Sequence, residues 1–262
     1  MPQSVLDKFR VDGKTALVTG GSRGLGRQIA LALADAGADI VIVGRTAESL
    51  DSTAREIEGR GRKATRIVAD ISSDDACENA AEQALAEAGR VDILVNNVGG
   101  RAPNVPIAET TIEQWNGAVQ LNLNHCFVMS RSVGRAMIKR RQGGRIINIA
   151  SISGMIVNRG IAGRHYETTK AAIIHFTRAA AVDWAPHNIN VNSISPGLFM
   201  TDPNLGWRET APETIESFVE GIPMGRAGSP EEIGPLALYL ASPASSYVTG
   251  ANFVIDGGYT AW

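Results

Sequence analysis

The sequence predicts an α/β fold, a parallel sheet covered by helices on both faces. Three observations lead there. Short apolar runs of strand type alternate with helical patterns from end to end. The connections between those runs have helix-crossover length, which joins parallel strands rather than hairpins. The first run, Thr15-Ala16-Leu17-Val18, passes through the glycine-rich turn Gly20-Gly21-Ser22-Arg23-Gly24-Leu25-Gly26 into a helix. Crossovers of this kind are right-handed, and ligands bind beyond the carboxyl ends of the strands. The loops after each strand are therefore where chemistry is sought.

In chain order, Ile29, Leu33 and Ala36 fall at helical spacing after the first turn. Asp39 to Val43 reads as a strand, Ala47 to Gly59 as a charged amphipathic helix, and Ala64 to Ala69 as a strand ending at Asp70. Ser72 begins a helix with Asp75 as its capping-box partner, and Gly89 stops it. Val91 to Val95 is the next strand. Thr110 and Glu113 form a second capping box before a long helix through Asn122 to Arg141. Arg145 to Ile149 is a strand, Tyr166 to Trp184 a helix stopped by Pro186, and Ile189 to Ile194 a strand before Pro196-Gly197. Residues 202–225 show weak periodicity and read as a long loop. Such a loop in a compact domain is commonly functional, and we assign it to substrate closure, a lid. Ser229-Pro230-Glu231-Glu232 is a helix start, and Asn252 to Ile255 a last strand.

The 262 residues are 44% hydrophobic and 20% charged, enough to bury a core without disulfides. A net charge of −2 offers no basic field for nucleic acid or anionic lipid. Cys77 and Cys126 lie far apart in helical patterns, which suits a reducing cytoplasm. No targeting core and no run of about twenty apolar residues occurs, so a cytoplasmic protein without a membrane span is expected. His125, His165, His175 and His187 show no metal-ligand spacing with the cysteines, so no metal is expected.

Gly20 permits a sharp turn. Gly24 and Gly26 leave no Cβ between helix and ligand, so a pyrophosphate can sit on the free N–H groups of the first helical turn. A plain glycine-rich turn is the alternative. The pattern T-G-x-x-x-G-x-G resembles the cofactor loop of the short-chain dehydrogenase/reductase family. The resemblance continues in Asn96-Asn97-Val98-Gly99, similar to the family's N-N-A-G turn, and in Tyr166 and Lys170, its Y-x-x-x-K pair. It continues further in Pro196-Gly197 to Thr201, and in Ser246 to Gly250 with Asp256-Gly257-Gly258. It covers nearly the whole chain. It implies a single Rossmann-type, doubly wound domain over residues 1–262 with seven strands. Residues 1–13 are then an N-terminal extension, and the usual assembly is a homotetramer or a dimer. Implied cofactor contacts are Gly20, Ser22, Arg23, Gly24, Leu25, Gly26, Arg45, Asp70, Ile71, Asn97, Gly99, Tyr166, Lys170, Pro196, Gly197 and Thr201. Asp70 reads equally as a helix-capping carboxylate.

An acid after the second strand would bind the ribose 2′-OH of NAD. This chain has Gly44 and Arg45 there, and Arg23 in the glycine loop, a pair suited to a 2′-phosphate. NADP(H) is favoured, with NAD(H) the alternative.

Tyr166 and Lys170 stand one helical turn apart and share a face. A free phenol is only about a thousandth ionised at pH 7, a deficit of about 4 kcal/mol. The Lys170 ammonium and a positive nicotinamide both favour phenolate. The resemblance makes Tyr166 the proton-transfer residue, Ser151 the group that holds the substrate oxygen, and Asn122 the fourth catalytic residue, which kinks its helix and holds a water that feeds Lys170. Ser153 rivals Ser151, because the segment from Gly154 to Tyr166 is about two residues longer than is usual in the family.

The expected reaction is interconversion of a small carbonyl substrate and its alcohol. Arg101, Asn158, Arg159, Arg164, His165, Trp207 and Arg208 fall in loops near the expected pocket and favour a polar or anionic substrate. Ser151, Ser153, Arg101, His165 and Trp207 are the candidate substrate contacts. Gly154 to Asn158 looks like the sugar and polyol reductases of the family. The alternatives are a 3-oxoacyl-thioester reductase and a non-catalytic dinucleotide-binding sensor or regulatory subunit. A complete Asn-Ser-Tyr-Lys set speaks against the sensor.

Overall fold

The computed structural model describes residues 4–101, 104–158 and 160–262. Its strands are β1 (Thr15–Thr19), β2 (Asp39–Gly44), β3 (Ala64–Val68), β4 (Ile93–Asn96), β5 (Gly144–Ile149), β6 (Ile189–Pro196) and β7 (Asn252–Ile255). Its helices are α1 (Gly24–Asp35), α2 (Ala47–Glu58), α3 (Asp74–Ala88), α4 (Ile112–Val119), α5 (His125–Arg140), α6 (Arg164–Trp184), α7 (Asp202–Thr210), α8 (Pro212–Glu220) and α9 (Ile233–Ala241). The strands form one sheet in the order β3-β2-β1-β4-β5-β6-β7, and every pairing is parallel. Strand order reverses between β1 and β4, the point at which such sheets open a crevice.

Both faces of the sheet are buried, which is why its central strands read as continuous apolar runs. Alternate residues of β1 go to opposite cores. Val18 packs with Ile29 and Leu33 of α1, Leu50 and Ile57 of α2, and Ile233 and Leu240 of α9. Leu17 packs on the other face with Ala80 and Ala84 of α3, Met129, Val133 and Met137 of α5, and Ala180 of α6. A separate small cluster of Leu198, Ile215 and Ile222 carries Trp207, Phe218 and Tyr259 beside the strand ends. Near the N-terminus Val11 is buried, and the Phe9 ring lies 6.2 Å from that of Tyr239.

A buried polar ladder fixes α5 and α6 to the sheet. Asn96 and Asn148 are register partners across β4 and β5. Asn96 Nδ2 donates to Asn148 Oδ1 (2.9 Å) and Ser130 Oγ (2.8 Å), and Asn148 Nδ2 donates to Thr177 Oγ1 (2.9 Å).

Four local expectations change. α3 starts on Ser73, whose hydroxyl accepts from the Ala76 N–H, not on Ser72. α4 starts on Thr111, in a capping box with Gln114 rather than Thr110 with Glu113. In both places two neighbouring hydroxyls compete, and the second accepts from a backbone N–H of the first helical turn. The long helix is interrupted by a π turn over Gln120–Asn124. Residues 202–225 are no loop. They hold α7 and α8, each nine residues long with proline in its first turn, too short for either to show a clear period.

Candidate active site

A cleft of about 670 Å³ opens at the carboxyl ends of the strands, over the β1/β4 switch. The size is ordinary for a small-molecule site. The glycine turn forms its floor. Gly20 has φ +63°, and a Cβ on Gly26 would lie 2.3 Å from the Gly20 carbonyl oxygen and 2.4 Å from Asn97 Nδ2. Gly26 is thus needed for packing inside the turn, and it is not among the residues that line the cleft. Asn97 staples β4 to the turn, its Nδ2 donating to the Thr19 and Gly20 carbonyls (3.1 and 3.2 Å).

These features fit a dinucleotide. α1 has no side-chain cap on its N-terminus, so its first N–H groups remain free for an anion. Arg23 and Arg45 are exposed at the cleft edge. No ion pair engages either of them among the described residues. Asp70 lines the cleft and is exposed; Ser73 caps α3 instead, which removes the capping alternative for Asp70. Ser22, Gly24, Leu25, Ile71, Asn97, Gly99, Pro196, Gly197 and Thr201 also line the cleft.

The Tyr166 hydroxyl, at the start of α6, lies beside the Ser151 hydroxyl at the end of β5. Lys170 is buried below it, 5.7 Å from the Tyr166 ring centre, and donates to the Ile149 carbonyl (2.9 Å). Burial pushes the Lys170 amine down to about 8. Burial also raises the Tyr166 phenol, and the groups that pull it back are the Ser151 hydroxyl and the Arg101 guanidinium. Arg101 stacks over the Tyr166 ring at 4.6 Å. Arg101 rather than Lys170 is thus the cation that pulls the phenol down here, and it stands nearer the ring.

Ser151 and Ser153 are told apart by their partners. Ser151 meets Tyr166 and accepts from the Ser153 N–H (3.1 Å). Ser153 Oγ is held by Arg101 Nη2 (3.0 Å) and Asn158 Nδ2 (2.8 Å). Asn122 sits in the π turn behind the cleft and does not line it. Its Oδ1 accepts from the Gly100 N–H (2.9 Å), and its Nδ2 donates to the Gly100 and Ala118 carbonyls (3.1 Å each). A Cβ on Gly99 would touch both Asn122 Oδ1 (2.8 Å) and Lys170 Nζ (2.9 Å), so those groups are neighbours.

Of the candidate substrate contacts, Ser151, Ser153, Arg101 and Trp207 line the cleft with Asn158. His165 does not: it is 2% exposed and turned inward. The reason is its place in the first turn of α6, where Tyr166 takes the cleft-facing position. Arg164 and Arg208 are not in the lining either, and Arg159 lies outside the described residues. Phe199, Asn204, Ile215 and Phe218 line the cleft without having been singled out. The alternation of the α8 apolar residues Ile215 and Phe218 at i and i+3 was the available signal. Among the described residues no group of three His, Cys, Asp or Glu could hold a metal, and no helix is long and apolar enough to cross a membrane.

A family model described as enoyl-(acyl carrier protein) reductase matches residues 20–260. A short-chain type dehydrogenase/reductase from Mycobacterium marinum is 41% identical, with 98% of this chain and 99% of that one covered at a TM-score of 0.91. The chain belongs to the short-chain dehydrogenase/reductase family. It is thus an oxidoreductase of a family that binds NAD(P). Galactitol 2-dehydrogenase (L-tagatose-forming) of Cereibacter sphaeroides is 42% identical over 254 residues, 97% of this chain and 98% of that protein. A gluconate 5-dehydrogenase from Burkholderia cenocepacia J2315, solved in complex with NADP and tartrate, is 34% identical with a TM-score of 0.91. It covers 99% of this chain and 100% of its own.

Proposed function

We propose that this short-chain dehydrogenase/reductase interconverts a ketone and a secondary alcohol on a sugar, polyol or sugar acid, with NADP(H) as cofactor. The observation that carries the reading is the Tyr166–Ser151 hydroxyl pair facing the cleft into which the glycine turn opens. The polar wall of Arg101, Ser153 and Asn158 and the sugar substrates of the two relatives named above support the substrate class. Arg23 and Arg45 at the cleft edge, with no acid at position 44 or 45, support the 2′-phosphate form.

Hydride transfer is the chemistry the nicotinamide supplies when bound. Ser151 and Tyr166 hold the substrate oxygen between two hydroxyls. In reduction the Tyr166 hydroxyl gives its proton to that oxygen; in oxidation it takes the alcohol proton. Lys170 and Arg101 oppose the effect of burial by placing positive charge near the developing phenolate. Asn122 holds the Gly99–Gly100 backbone against Lys170. α7 and α8 close over the substrate. Exposed Ile112, Trp115 and Phe127 on α4 and α5 support assembly as a homotetramer.

The test is NADPH consumption against ketoses, keto sugar acids and an acetoacetyl thioester, by wild type and Tyr166→Phe. Turnover of a ketose or keto acid is expected, with a loss of about 10²–10⁴-fold in the variant and NADPH binding retained. Full turnover by Tyr166→Phe would falsify the mechanism. Preference for the thioester would move the substrate to the acyl class.

A further inference from the structure

Tyr166 and Glu167 are neighbours in α6, and one cation, Arg101, touches both. Successive helical residues point about 100° apart. Tyr166 lines the cleft, and Glu167 is buried outside it. A buried carboxylate needs donors and a counter-charge. Glu167 Oε1 accepts from the Asn158 N–H (3.1 Å), Asn158 Nδ2 (3.2 Å) and Arg164 Nη1 (2.7 Å). Arg101 Nη1 stands 3.7 Å from the same oxygen, with side-chain exposures of 12% for Arg101 and 7% for Glu167. Two charges desolvated together depend on each other.

The guanidinium is fixed in place. Its Nη1 donates to the Ala162 carbonyl (2.8 Å) and its Nη2 to Ser153 Oγ (3.0 Å). Its carbon lies 4.6 Å from the centre of the Tyr166 ring, within the range of a cation over an aromatic face. Burial works against the Arg101 charge, while Tyr166 and Glu167 sustain it. A guanidinium does not lose its proton in proteins. Lys170 is 5.7 Å from the ring, donates to the Ile149 carbonyl, and is pushed down to about 8 by burial. Oxidation of an alcohol releases a proton and is favoured at alkaline pH, where Lys170 sheds its charge and Arg101 keeps it. The other groups around this centre offer no substitute. On α5, His125 and Cys126 adjoin Lys170 and are held neutral by burial. On α6, Arg164 pairs with Glu167. Ser151 at the end of β5 is a neutral hydroxyl, and α7 brings only the acidic Asp202 to the cleft.

We propose that Glu167 is a positioning residue that holds Arg101 over the Tyr166 ring, and that this guanidinium, more than the Lys170 ammonium, stabilises the Tyr166 phenolate in alcohol oxidation. This rests on the oxidoreductase reading and adds to it a residue outside the cleft. The sign of the Glu167 effect separates positioning from charge. A carboxylate acting by its own charge disfavours phenolate, so its removal would ease ionisation. A carboxylate that holds Arg101 in place has the opposite effect, and its removal makes ionisation harder.

The experiment titrates Tyr166 in the full-length enzyme with NADP+ present, reading phenolate by ultraviolet absorbance as the difference from Tyr166→Phe. It needs no substrate, so its outcome is separate from the turnover that tests the proposed function. Arg101→Gln is expected to raise the midpoint by at least about one pH unit. Arg101→Lys, which keeps a cation, recovers most of that shift. Glu167→Gln, which keeps the shape and an acceptor oxygen, also raises the midpoint, and Lys170→Met raises it less than Arg101→Gln does. An unmoved midpoint in Arg101→Gln, or a larger move in Lys170→Met, overturns the role of Arg101. A lowered or unmoved midpoint in Glu167→Gln overturns the positioning. Earlier melting of the Arg101 and Glu167 variants with every midpoint in place marks a purely structural pair and overturns both.

Discussion

Gly154 is where the Ser151 end of β5 touches the helix of Tyr166, and one methyl group there separates them. It closes the short 3-10 turn after Ser151. A Cβ at that position would lie 2.6 Å from the Lys170 carbonyl carbon, 2.7 Å from the Ala171 nitrogen and 2.8 Å from the Lys170 oxygen. All three are backbone atoms of α6, so no side chain can swing aside. Ordinary contact begins at 3.4 Å, so the turn and the helix must part by about 0.6–0.8 Å. Overpacking of this kind costs about 1–3 kcal/mol. At roughly 2–4 °C per kcal/mol for a domain of this size, Gly154→Ala should lower Tm by about 2–12 °C. The same displacement pulls Ser151 from Tyr166, and an error approaching 1 Å at a reacting centre costs about 10²-fold in kcat. Gly117→Ala is the matched control. Gly117 lies in α4 with nothing within 4 Å of its would-be Cβ, and helix propensity there should give about 0.8–1 kcal/mol in the stabilising direction. Thermal melts and steady-state rates on the two variants decide the matter. A Gly154→Ala enzyme that melts and turns over like wild type would refute the packing argument.

Arg45→Asp should weaken NADPH about 10–100-fold and favour NADH, since a charge-assisted phosphate contact of about 1.5–3 kcal/mol becomes a repulsion. Fluorescence titration of both cofactors reads this, and an unchanged NADPH affinity would rule Arg45 out. His125 is held neutral in the fold, pushed down to about 3 by burial and by Lys170. An unfolded histidine binds its proton near pH 6.5, so the unfolded state gains protons first as pH falls. Stability should therefore drop by up to about 1.4 kcal/mol per pH unit from this group between pH 6.5 and 3. Urea melts at pH 7 and pH 5 should show a shallower loss in His125→Leu, and parallel losses would contradict the assignment. Burial pushes the Cys126 and Cys77 thiols up to about 12 and 11. Iodoacetamide at pH 8 should label neither in the folded protein and both in urea, as read by intact mass; labelling without denaturant would show that the helices open.

The succession of strands and helices and the glycine turn were legible because both are carried by short-range patterns, apolar runs of crossover spacing and a fixed glycine register. The Tyr166–Lys170 spacing was legible for the same reason. What failed were choices between neighbours. Ser72 against Ser73 and Thr110 against Thr111 differ only in where the first helical turn begins, and nothing local decides that. The packing role of Gly26 was not legible in full, because part of its crowding comes from Asn97, far away in the chain. Arg101 over the Tyr166 ring and the pairing of Asn158 with Glu167 and Ser153 depend on where the loops after β4 and β5 meet. Periodicity does not encode such meetings. His165 shows the reverse case, a polar residue beside Tyr166 in sequence that the helix rotates away from the cleft.

The small cluster of Leu198, Ile215 and Ile222 stands apart from the two large cores. The segment it supports can therefore come off its seat at a fraction of the free energy needed to breach the sheet. Amide exchange in α7 and α8 should then run ahead of the strands by orders of magnitude, without any melting of the rest. Substitution at those three side chains is expected to change that exchange while sparing the thermal midpoint. Local opening and global durability are then separately adjustable.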